Sequence, residues 1–245
     1  MIDVEHVTRA YGRLVAVDDV SFHVDRNEIV GFVGPNGAGK STMLKMLATY
    51  LTPGAGSITV GGVSVLEDPV SVRRQIGYLP GDTPLYRDMV VGDWLRFVAG
   101  AHGLRAAQAS AALDRVIETC DIGPVLPMVI RQCSTGYRQR VGLASALVHD
   151  PPVLLLDEPT HGFDPLQVMA FRELLRRLRA DRAILFSTHI IADVEAVSDR
   201  VLIIDQGRLL ADGDLPTLCD KHGLASPSLE ALFAHLVSAA GVVDA

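Results

Sequence analysis

The stretch that decides the fold of this 245-residue chain is Gly34-Pro35-Asn36-Gly37-Ala38-Gly39-Lys40-Ser41. It fits the phosphate-loop pattern G-x-x-x-x-G-K-[ST]. An apolar run at residues 28–33 precedes it and predicts a buried strand, whereas residues 42–47 follow with the apolar spacing of a helix. Strand, glycine-rich loop and helix in this order are typical of nucleotide-binding proteins.

The residue types in this loop suit the binding of phosphate groups. Glycines allow successive backbone N–H groups to turn toward phosphate oxygens, and the next helix directs its positive N-terminal end at the same place. We expect Lys40 to contact the β- and γ-phosphates and the Ser41 hydroxyl to bind Mg²⁺. The alternative is a glycine-rich turn without a ligand. The predicted nucleotide-binding residues are Gly34, Pro35, Asn36, Gly37, Ala38, Gly39, Lys40, Ser41 and Thr42.

Two carboxylates, Asp157 and Glu158, follow directly after the apolar run at residues 153–156. A buried strand ending there would place them where open α/β sheets bind their ligands. We expect Asp157 to bind Mg²⁺, directly or through water, and Glu158 to orient or deprotonate the water that attacks the γ-phosphate. Alternatively, both acidic residues cap the helix that follows.

Hydrophobic patterns elsewhere predict an α/β fold. Alternating runs near the N-terminus indicate a small antiparallel sheet, and residues 52–56 have the composition of a hairpin turn. The region 85–148 looks helical, and residues 166–178 predict a crossover helix. All-apolar runs predict parallel strands at residues 153–156, 183–186 and 201–204. A terminal amphipathic helix is predicted from the spacing of Leu229, Leu232, Phe233 and Leu236.

The composition argues against several classes of protein. Hydrophobic residues make up 49% and charged residues 21% of the chain, as in ordinary globular proteins. The formal net charge of −7 argues against nucleic acid as a partner, because phosphate backbones require a surplus of Lys and Arg. Without a long apolar run or a secretion leader, the chain is expected to be soluble and cytoplasmic. Three widely spaced cysteines predict free structural thiols, at Cys120, Cys133 and Cys219.

Five motifs, in this order along the chain, resemble those of the ATP-binding subunits of ABC transporters. The phosphate loop and the Asp157-Glu158 pair are two of them. A segment before that pair is similar to the family's signature, Cys133-Ser134-Thr135-Gly136-Tyr137-Arg138-Gln139-Arg140. A segment after the pair is similar to the D-loop, Thr160-His161-Gly162-Phe163-Asp164-Pro165. Beyond the next predicted strand, Ser187-Thr188-His189 is similar to the switch-histidine segment.

The resemblance covers residues 1–215 and implies a fold. That fold is a RecA-like phosphate-loop NTPase core with an antiparallel β subdomain and an α-helical subdomain. The chain would form one ABC ATPase domain over residues 1–245. The core and the β subdomain would comprise residues 1–84 and 149–215, the helical subdomain residues 85–148, and a C-terminal helical extension residues 216–245.

The same resemblance implies further roles for site residues. Ser134 and Gly136 would open a helix that faces the γ-phosphate held by a second chain, so that two chains sandwich two ATP molecules head to tail. Asp164 of the D-loop would contribute to the nucleotide site, and His189 would contact the γ-phosphate during catalysis. Tyr11 would stack on adenine, although a tyrosine also suits the surface of a sheet.

The resemblance further implies a function. The chain would hydrolyse Mg-ATP to power transport through a separate membrane permease, from the inner face of the cell membrane, as a homodimer or paired with a related ATPase. Two local features are most similar to ABC-2-type exporters, namely Arg138-Gln139-Arg140 and Ser228-Leu229-Glu230. The alternatives are a non-transport ABC ATPase and a nucleotide-gated regulatory module.

The sequence departs from the family pattern in two places. Gly81 stands where the family usually has a Gln that contacts Mg²⁺ and the attacking water; Asp82 is adjacent, and Gln75 lies too early to align. In the signature segment the commonest residues, Leu, Gly and Gln, are replaced by Cys133, Thr135 and Tyr137. The first departure bears on how nucleotide state is passed to a permease.

Overall fold

A computed structural model describes residues 1–224 and 226–243. Within these residues the strands form two sheets. The smaller sheet is antiparallel, with the order β2-β1-β4-β5. Its strands are β1 (Ile2–Tyr11), β2 (Leu14–Val24), β4 (Ala55–Val60) and β5 (Val63–Ser64). The predicted antiparallel sheet is therefore confirmed.

The larger sheet has the order β10-β9-β3-β8-β7-β6. Its strands run parallel except β10, which is antiparallel to β9 at one edge. They are β3 (Glu28–Val33), β6 (Ile76–Leu79), β7 (Val153–Asp157), β8 (Ala183–Thr188), β9 (Arg200–Asp205) and β10 (Arg208–Gly213). The three predicted parallel strands correspond to β7, β8 and β9.

Both faces of the larger sheet are buried, which explains why its strands are continuously apolar. In β7, Leu154 and Leu156 pack into a core on one face, whereas Val153 and Leu155 pack into a second core on the other. The second core is shared with the smaller sheet, through residues such as Ile2. Alternating side chains thus fix each strand between two apolar layers.

Helices connect the strands and cover these layers. Those before β7 are α1 (Lys40–Leu47), α2 (Pro69–Gln75), α3 (Val91–Ala101), α4 (Ala106–Cys120) and α5 (Thr135–Leu147). Those after β7 are α6 (Pro165–Leu178), α7 (Ile191–Val197), α8 (Leu215–Lys221) and α9 (Leu229–Val243). The helical region between β6 and β7 and the crossover helix α6 are as predicted. In α9, the buried residues are Leu229, Leu232 and Leu236.

One local prediction is wrong. Residues 52–56 do not form a hairpin turn: residues 52–54 lie in the loop that joins α1 to β4, and residues 55 and 56 begin β4. Gly56 adopts a positive φ of 80°, and a Cβ there would lie 2.3 Å from the His6 carbonyl oxygen. The glycine therefore allows β4 to approach an irregular part of β1 closely, where the register shifts between Glu5 and Thr8.

Two further predictions concern the state of the cysteines and whether any helix could span a membrane. Cys120, Cys133 and Cys219 are buried and free, as predicted. Burial raises the pKa of the Cys120 thiol to about 12, so this thiol is unreactive at neutral pH. No helix within residues 1–224 and 226–243 is long and apolar enough to cross a membrane.

Candidate functional site

The phosphate loop joins the end of β3 to the start of α1, as the sequence predicts. Gly39 precedes α1 with a φ of 110°, and a Cβ there would lie 2.3 Å from the Ala16 carbonyl oxygen of β2. Only glycine therefore fits at this position. The loop is thus wedged between the two sheets, with its backbone at the N-terminus of α1.

Lys40 is 5% exposed and folds back over the loop. Its Nζ donates hydrogen bonds to the carbonyl oxygens of Gly34, at 2.6 Å, and of Pro35, at 3.0 Å. Burial lowers the pKa of Lys40, and the negative charges of Glu158 and Asp157 oppose that shift. The ammonium group is therefore close to both carboxylates, and its charge is available to an anionic ligand in the loop.

Asp157 ends β7 at the same edge of the sheet. Its Oδ1 accepts a hydrogen bond of 3.0 Å from the Ser41 hydroxyl, across 116 positions of sequence. The same oxygen accepts a hydrogen bond of 2.6 Å from the Ser187 hydroxyl, which is fully buried at the end of β8. Two hydroxyl groups therefore fix the carboxylate of Asp157 in one orientation.

Ser187 is a site residue for which sequence reasoning assigned no role. The signal was present, because Ser187 directly precedes Thr188 and His189 at the end of an apolar strand. What the sequence lacks is the register, in which Asp157 pairs with Ser187 across the neighbouring strands. That pairing alone brings the hydroxyl to the carboxylate.

Glu158 and His189 lie in contact just beyond the ends of β7 and β8. His189 Nδ1 is 2.9 Å from Glu158 Oε2. The Glu158 backbone has a φ of 48°, in the left-handed region, and its N–H donates to the Ser187 carbonyl oxygen at 3.1 Å. The predicted base and the predicted switch histidine are therefore brought together by the parallel pairing of their strands.

The alternative that Asp157 and Glu158 cap a helix is wrong. The next helix, α6, is capped by Asp164, whose carboxylate accepts a hydrogen bond of 2.9 Å from the Gln167 N–H. The Gln167 side chain in turn accepts from the Asp164 N–H at 3.2 Å, which completes a capping box. Asp164 is thus the N-cap of α6, in addition to its predicted place in the nucleotide site.

Two of the predicted site residues lie at the start of α5. Ser134 is the N-cap of this helix and accepts a hydrogen bond of 3.3 Å from the Tyr137 N–H. Gly136 is buried, and a Cβ there would lie 2.7 Å from Gln167 Oε1 of α6. Among the described residues, no hydrogen bond joins Ser134 or Gly136 to the phosphate loop. Within one chain, the start of α5 and the phosphate loop are therefore separate features.

Tyr11 lies at the end of β1, and its side chain is 45% exposed. The Arg9 guanidinium lies 5.2 Å from the centre of the Tyr11 ring. Arg9 is itself held by a hydrogen bond of 2.9 Å to the Thr52 carbonyl oxygen. The ring is therefore supported by a cation and remains accessible; within residues 1–224 and 226–243, no hydrogen bond joins Tyr11 to the phosphate loop.

Gly81 lies beside the backbone of Asp157 and the Cβ atom of Glu158. A Cβ at this position would lie 3.3 Å from the Asp157 carbonyl oxygen and 3.8 Å from Glu158 Cβ. Asp82 is exposed. Gln75 instead ends α2, where its amide lies 3.4 Å from the Val60 carbonyl oxygen, so it is not part of the site.

Comparison with known proteins decides the family. A family model described as "ABC transporter" matches residues 17–161, which is more than half of the chain. The chain belongs to the ABC transporter family. It is an ATP-binding subunit with ATPase activity, and its core is the RecA-like cassette of that family. Subunits of this family form dimers and pair with membrane permeases.

Several curated relatives in this family are similar along most of the chain. The chain is 38% identical to the uncharacterized ABC transporter ATP-binding protein YxlF of Bacillus subtilis over 218 residues, which cover 89% of this chain and 72% of YxlF. It is 38% identical to the ABC transporter ATP-binding protein NatA of the same organism, over 84% of this chain and 85% of NatA. It is 32% identical to a probable multidrug ABC transporter ATP-binding protein, YbhF of Escherichia coli, over 97% of this chain and 42% of YbhF.

Solved structures agree with this assignment. The structure of an ATP-binding subunit of an ABC transporter matches with a TM-score of 0.90 and 33% identity, covering 97% of this chain and 99% of that one. A dimeric bacterial ABC transporter cassette, MJ0796, matches with a TM-score of 0.81 over 88% of this chain and 99% of that chain. At 23% identity, that second match supports the fold alone.

Proposed function

We propose that this ABC subunit hydrolyses Mg-ATP in a head-to-tail dimer and powers export through a separate permease. The observation that carries the proposal is the convergence of Ser41, Asp157, Glu158 and His189 at one edge of the larger sheet. The phosphate loop, its buried lysine and two oriented carboxylates suit the positioning and electrostatic stabilisation that phosphoryl transfer requires. The names of relatives that transport drugs favour export.

ATP would bind with its phosphates in the loop and its base at Tyr11. The loop N–H groups, the N-terminus of α1 and the Lys40 ammonium would together neutralise the phosphate charge. For this, Lys40 must exchange its hydrogen bonds to the Gly34 and Pro35 carbonyl oxygens for bonds to phosphate oxygens. Tyr11 would stack on adenine, with Arg9 against the ring.

The residues present also fit Mg²⁺. The Ser41 hydroxyl and the Asp157 carboxylate are hard oxygen ligands, and they already meet at 3.0 Å. Mg²⁺ usually binds through one or two protein oxygens together with substrate phosphates, as this pair would allow. When bound, the ion would neutralise charge on the phosphate groups. Ser187 would keep the Asp157 carboxylate aligned, because its hydroxyl bonds the same oxygen as Ser41 does.

Glu158 and His189 would support the attack of water on the γ-phosphate. The Glu158 carboxylate would accept a proton from the water or orient it, and the His189 imidazole would contact the γ-phosphate. Their separation of 2.9 Å allows His189 to orient the Glu158 carboxylate. A side chain from position 81 is absent here, so Glu158 and His189 would carry this step without it.

A second chain would complete the site. Ser134 and Gly136 lie at the N-terminus of α5, where backbone N–H groups and the helix dipole favour an anion. We propose that this end faces the γ-phosphate held by the partner, which is either an identical copy or a related ATPase. Asp164 would take part in the same interface from the N-terminus of α6.

We divide the chain as the resemblance suggests, into a core with its β subdomain at residues 1–84 and 149–215, a helical subdomain at 85–148 and an extension at 216–245.

A cleft of about 310 Å³ separates the core from the helical part and is lined by Tyr78, Trp94 and His149. Tyr86 and Phe97 stack beside Trp94, with their own side chains largely exposed. We propose that a permease segment with an apolar face docks there.

Polar groups in the cleft support this docking. Among the described residues, the Tyr78 hydroxyl and the His149 Nδ1 atom are buried without a hydrogen-bond partner. Such buried groups are costly unless paired, so docking that opens the lining of the cleft and pairs them would be favoured. The complex would lie on the inner face of the cell membrane, with the ATPase on the cytoplasmic side and no nucleic acid involved.

The test is Mg-ATP hydrolysis by the purified chain as a function of protein concentration, with Lys40→Ala as the inactive control. A site shared by two chains predicts a rise that is steeper than proportional at low concentration. Activity strictly proportional to concentration, measured well below the dimer dissociation constant, would contradict a shared site. An unchanged rate in Lys40→Ala would contradict hydrolysis at this loop.

A further inference from the structure

A buried carboxylate, Asp193, joins three segments of the chain: the loop after β7, the middle of α6 and its own helix, α7. It lies in α7 and is 4% exposed. Its Oδ2 accepts a hydrogen bond of 2.7 Å from the Thr160 hydroxyl. Its Oδ1 accepts two from the Arg172 guanidinium, of 3.1 Å from Nε and 2.6 Å from Nη2. Both oxygens are therefore paired, which offsets the cost of burying the charge.

These partners come from the segments that carry the proposed catalytic pair. Thr160 follows Glu158 by two positions in the loop after β7, and Asp193 follows His189 by four positions in the helix after β8. Arg172 adds a third segment, the middle of α6. A single carboxylate thus connects the loop of the proposed base to the helix behind the switch histidine.

The contact between Glu158 and His189 needs such support. The pairing of the two strands ends at Asp157 and Ser187; beyond it the Glu158 N–H donates to the Ser187 carbonyl oxygen, but no strand pairing sets the positions of the Glu158 and His189 side chains. Glu158 adopts a φ of 48°, a strained conformation that persists only when its surroundings impose it. The His189 side chain is 49% exposed, and an exposed contact of two side chains contributes little to holding its own geometry.

A purely stabilising role explains the network less well. Buried ion pairs often contribute little net stability compared with apolar residues of similar size, whereas in some proteins they favour one arrangement of the groups around them. At Asp193, two bonds from Arg172 to Oδ1 and one from Thr160 to Oδ2 pair both oxygens, and this geometry serves that second purpose.

We propose that Asp193 is a positioning residue for ATP hydrolysis. Through Thr160 it holds the loop of Glu158 in its left-handed conformation, and through its own helix it keeps His189 at the Glu158 carboxylate. Arg172 holds the Asp193 carboxylate in place. The inference rests on the proposed function, because it assigns Asp193 to the hydrolytic step of that site and not to ATP binding.

The first test uses Thr160→Val, which removes the hydroxyl and keeps both the shape of the side chain and the Asp193–Arg172 ion pair. We expect kcat to fall about tenfold, while KM for Mg-ATP stays within about twofold. Thr160→Ser, which restores a hydroxyl, should return kcat to near the wild-type value. Asp193→Asn should lower kcat further, because it also leaves Arg172 without its charged partner.

A matched control separates positioning from stability. Glu28→Gln breaks another partly buried ion pair, in which Arg200 Nε donates to Glu28 Oε1 at 2.7 Å, at the start of β3 and away from the site. It should lower the melting temperature and leave kcat unchanged. A Thr160→Val variant that behaves in this way, with wild-type kcat, would overturn the inference.

A double-mutant cycle tests the route of the effect. In single-turnover measurements, Thr160→Val should lower the rate of the wild type about tenfold but add little to Glu158→Gln, because a displaced loop affects hydrolysis only while Glu158 takes a proton from the attacking water. An undiminished tenfold loss in the Glu158→Gln background would overturn the inference. An active wild type with an unaffected Thr160→Val would refute this inference alone, whereas an inactive wild type would refute the proposed function and this inference with it.

Discussion

The edge of the larger sheet and the start of α5 differ in how complete they are. At the sheet edge, side chains from the start of α1 and from the ends of β7 and β8 meet one another, and Lys40, Asp157 and Glu158 each have partners within the chain. At the start of α5, Ser134 caps its own helix and has no hydrogen bond to the phosphate loop among the described residues. This difference fits the proposed dimer, in which one chain would build the hydrolytic half of the site and a second chain the opposing half.

The largest expected effect comes from the sheet edge. Glu158→Gln removes the proposed base but keeps the size of the side chain, so hydrolysis should fall by roughly 10²–10⁴-fold while ATP still binds. The ATP-bound dimer should then accumulate, which light scattering in the presence of Mg-ATP would detect. If only monomer is present under those conditions, the two halves do not come together around ATP.

A smaller effect on hydrolysis is expected from Ser187, which supports Asp157 at the same edge of the sheet. Ser187→Ala removes one of two hydroxyl groups that orient Asp157, and the loss of such a supporting group typically lowers metal affinity by about 10–100-fold. The Mg²⁺ concentration that gives half-maximal hydrolysis should rise accordingly, at saturating ATP. A wild-type Mg²⁺ dependence would show that Ser41 alone suffices to hold the carboxylate.

The smallest expected effect is on the stability of the fold, and it concerns the contacts that hold α5 to the core. His149, just after α5, stacks on His102 with ring centres 3.7 Å apart, and its Nε2 lies 3.1 Å from the Ile76 carbonyl oxygen. Burial, followed by the charge of His102, lowers the pKa of His149 to about 4. The unfolded chain binds this proton near pH 6.5, so stability should fall as the pH drops from about 6.5 to 4.

Partial solvent screening limits that loss to about 1 kcal/mol. It would be measured as the difference between the wild type and His149→Gln in urea unfolding at pH 7 and pH 4.5. His149→Gln should lose less stability than the wild type over this interval. Equal losses would mean that the stacked pair does not report the state of α5.

The sequence predicts the sheet edge well because each feature there depends on local pattern. The glycine loop, the run before Asp157 and the run before His189 identify strand ends, and parallel strands place their ends together. Ser187 and Asp193 were not assigned roles, since their partners depend on strand register and helix packing. The hairpin prediction at residues 52–56 is wrong because glycine is required both in tight turns and where two strands approach closely. The same composition therefore fits either structure.

The role of the start of α5 does not follow from local sequence pattern in the same way. The motif identifies Ser134 and Gly136, and the structure places them at a helix N-terminus, but a single chain offers them no phosphate. Their proposed role depends on a second copy or a related chain, whose placement no pattern within this sequence specifies. The proposed shared site therefore requires that two chains, each inactive by itself, together restore one complete site.

That question is tested by mixing two inactive variants. Lys40→Ala impairs the phosphate loop, and Ser134→Asp keeps an N-cap on α5 but puts a negative charge where the partner's γ-phosphate would bind. In a mixed dimer, one site pairs the intact loop of one chain with the intact Ser134 of the other. The account predicts hydrolysis in the mixture well above the sum of the two separate variants; activity no greater than that sum, with mixed dimers present, would contradict it.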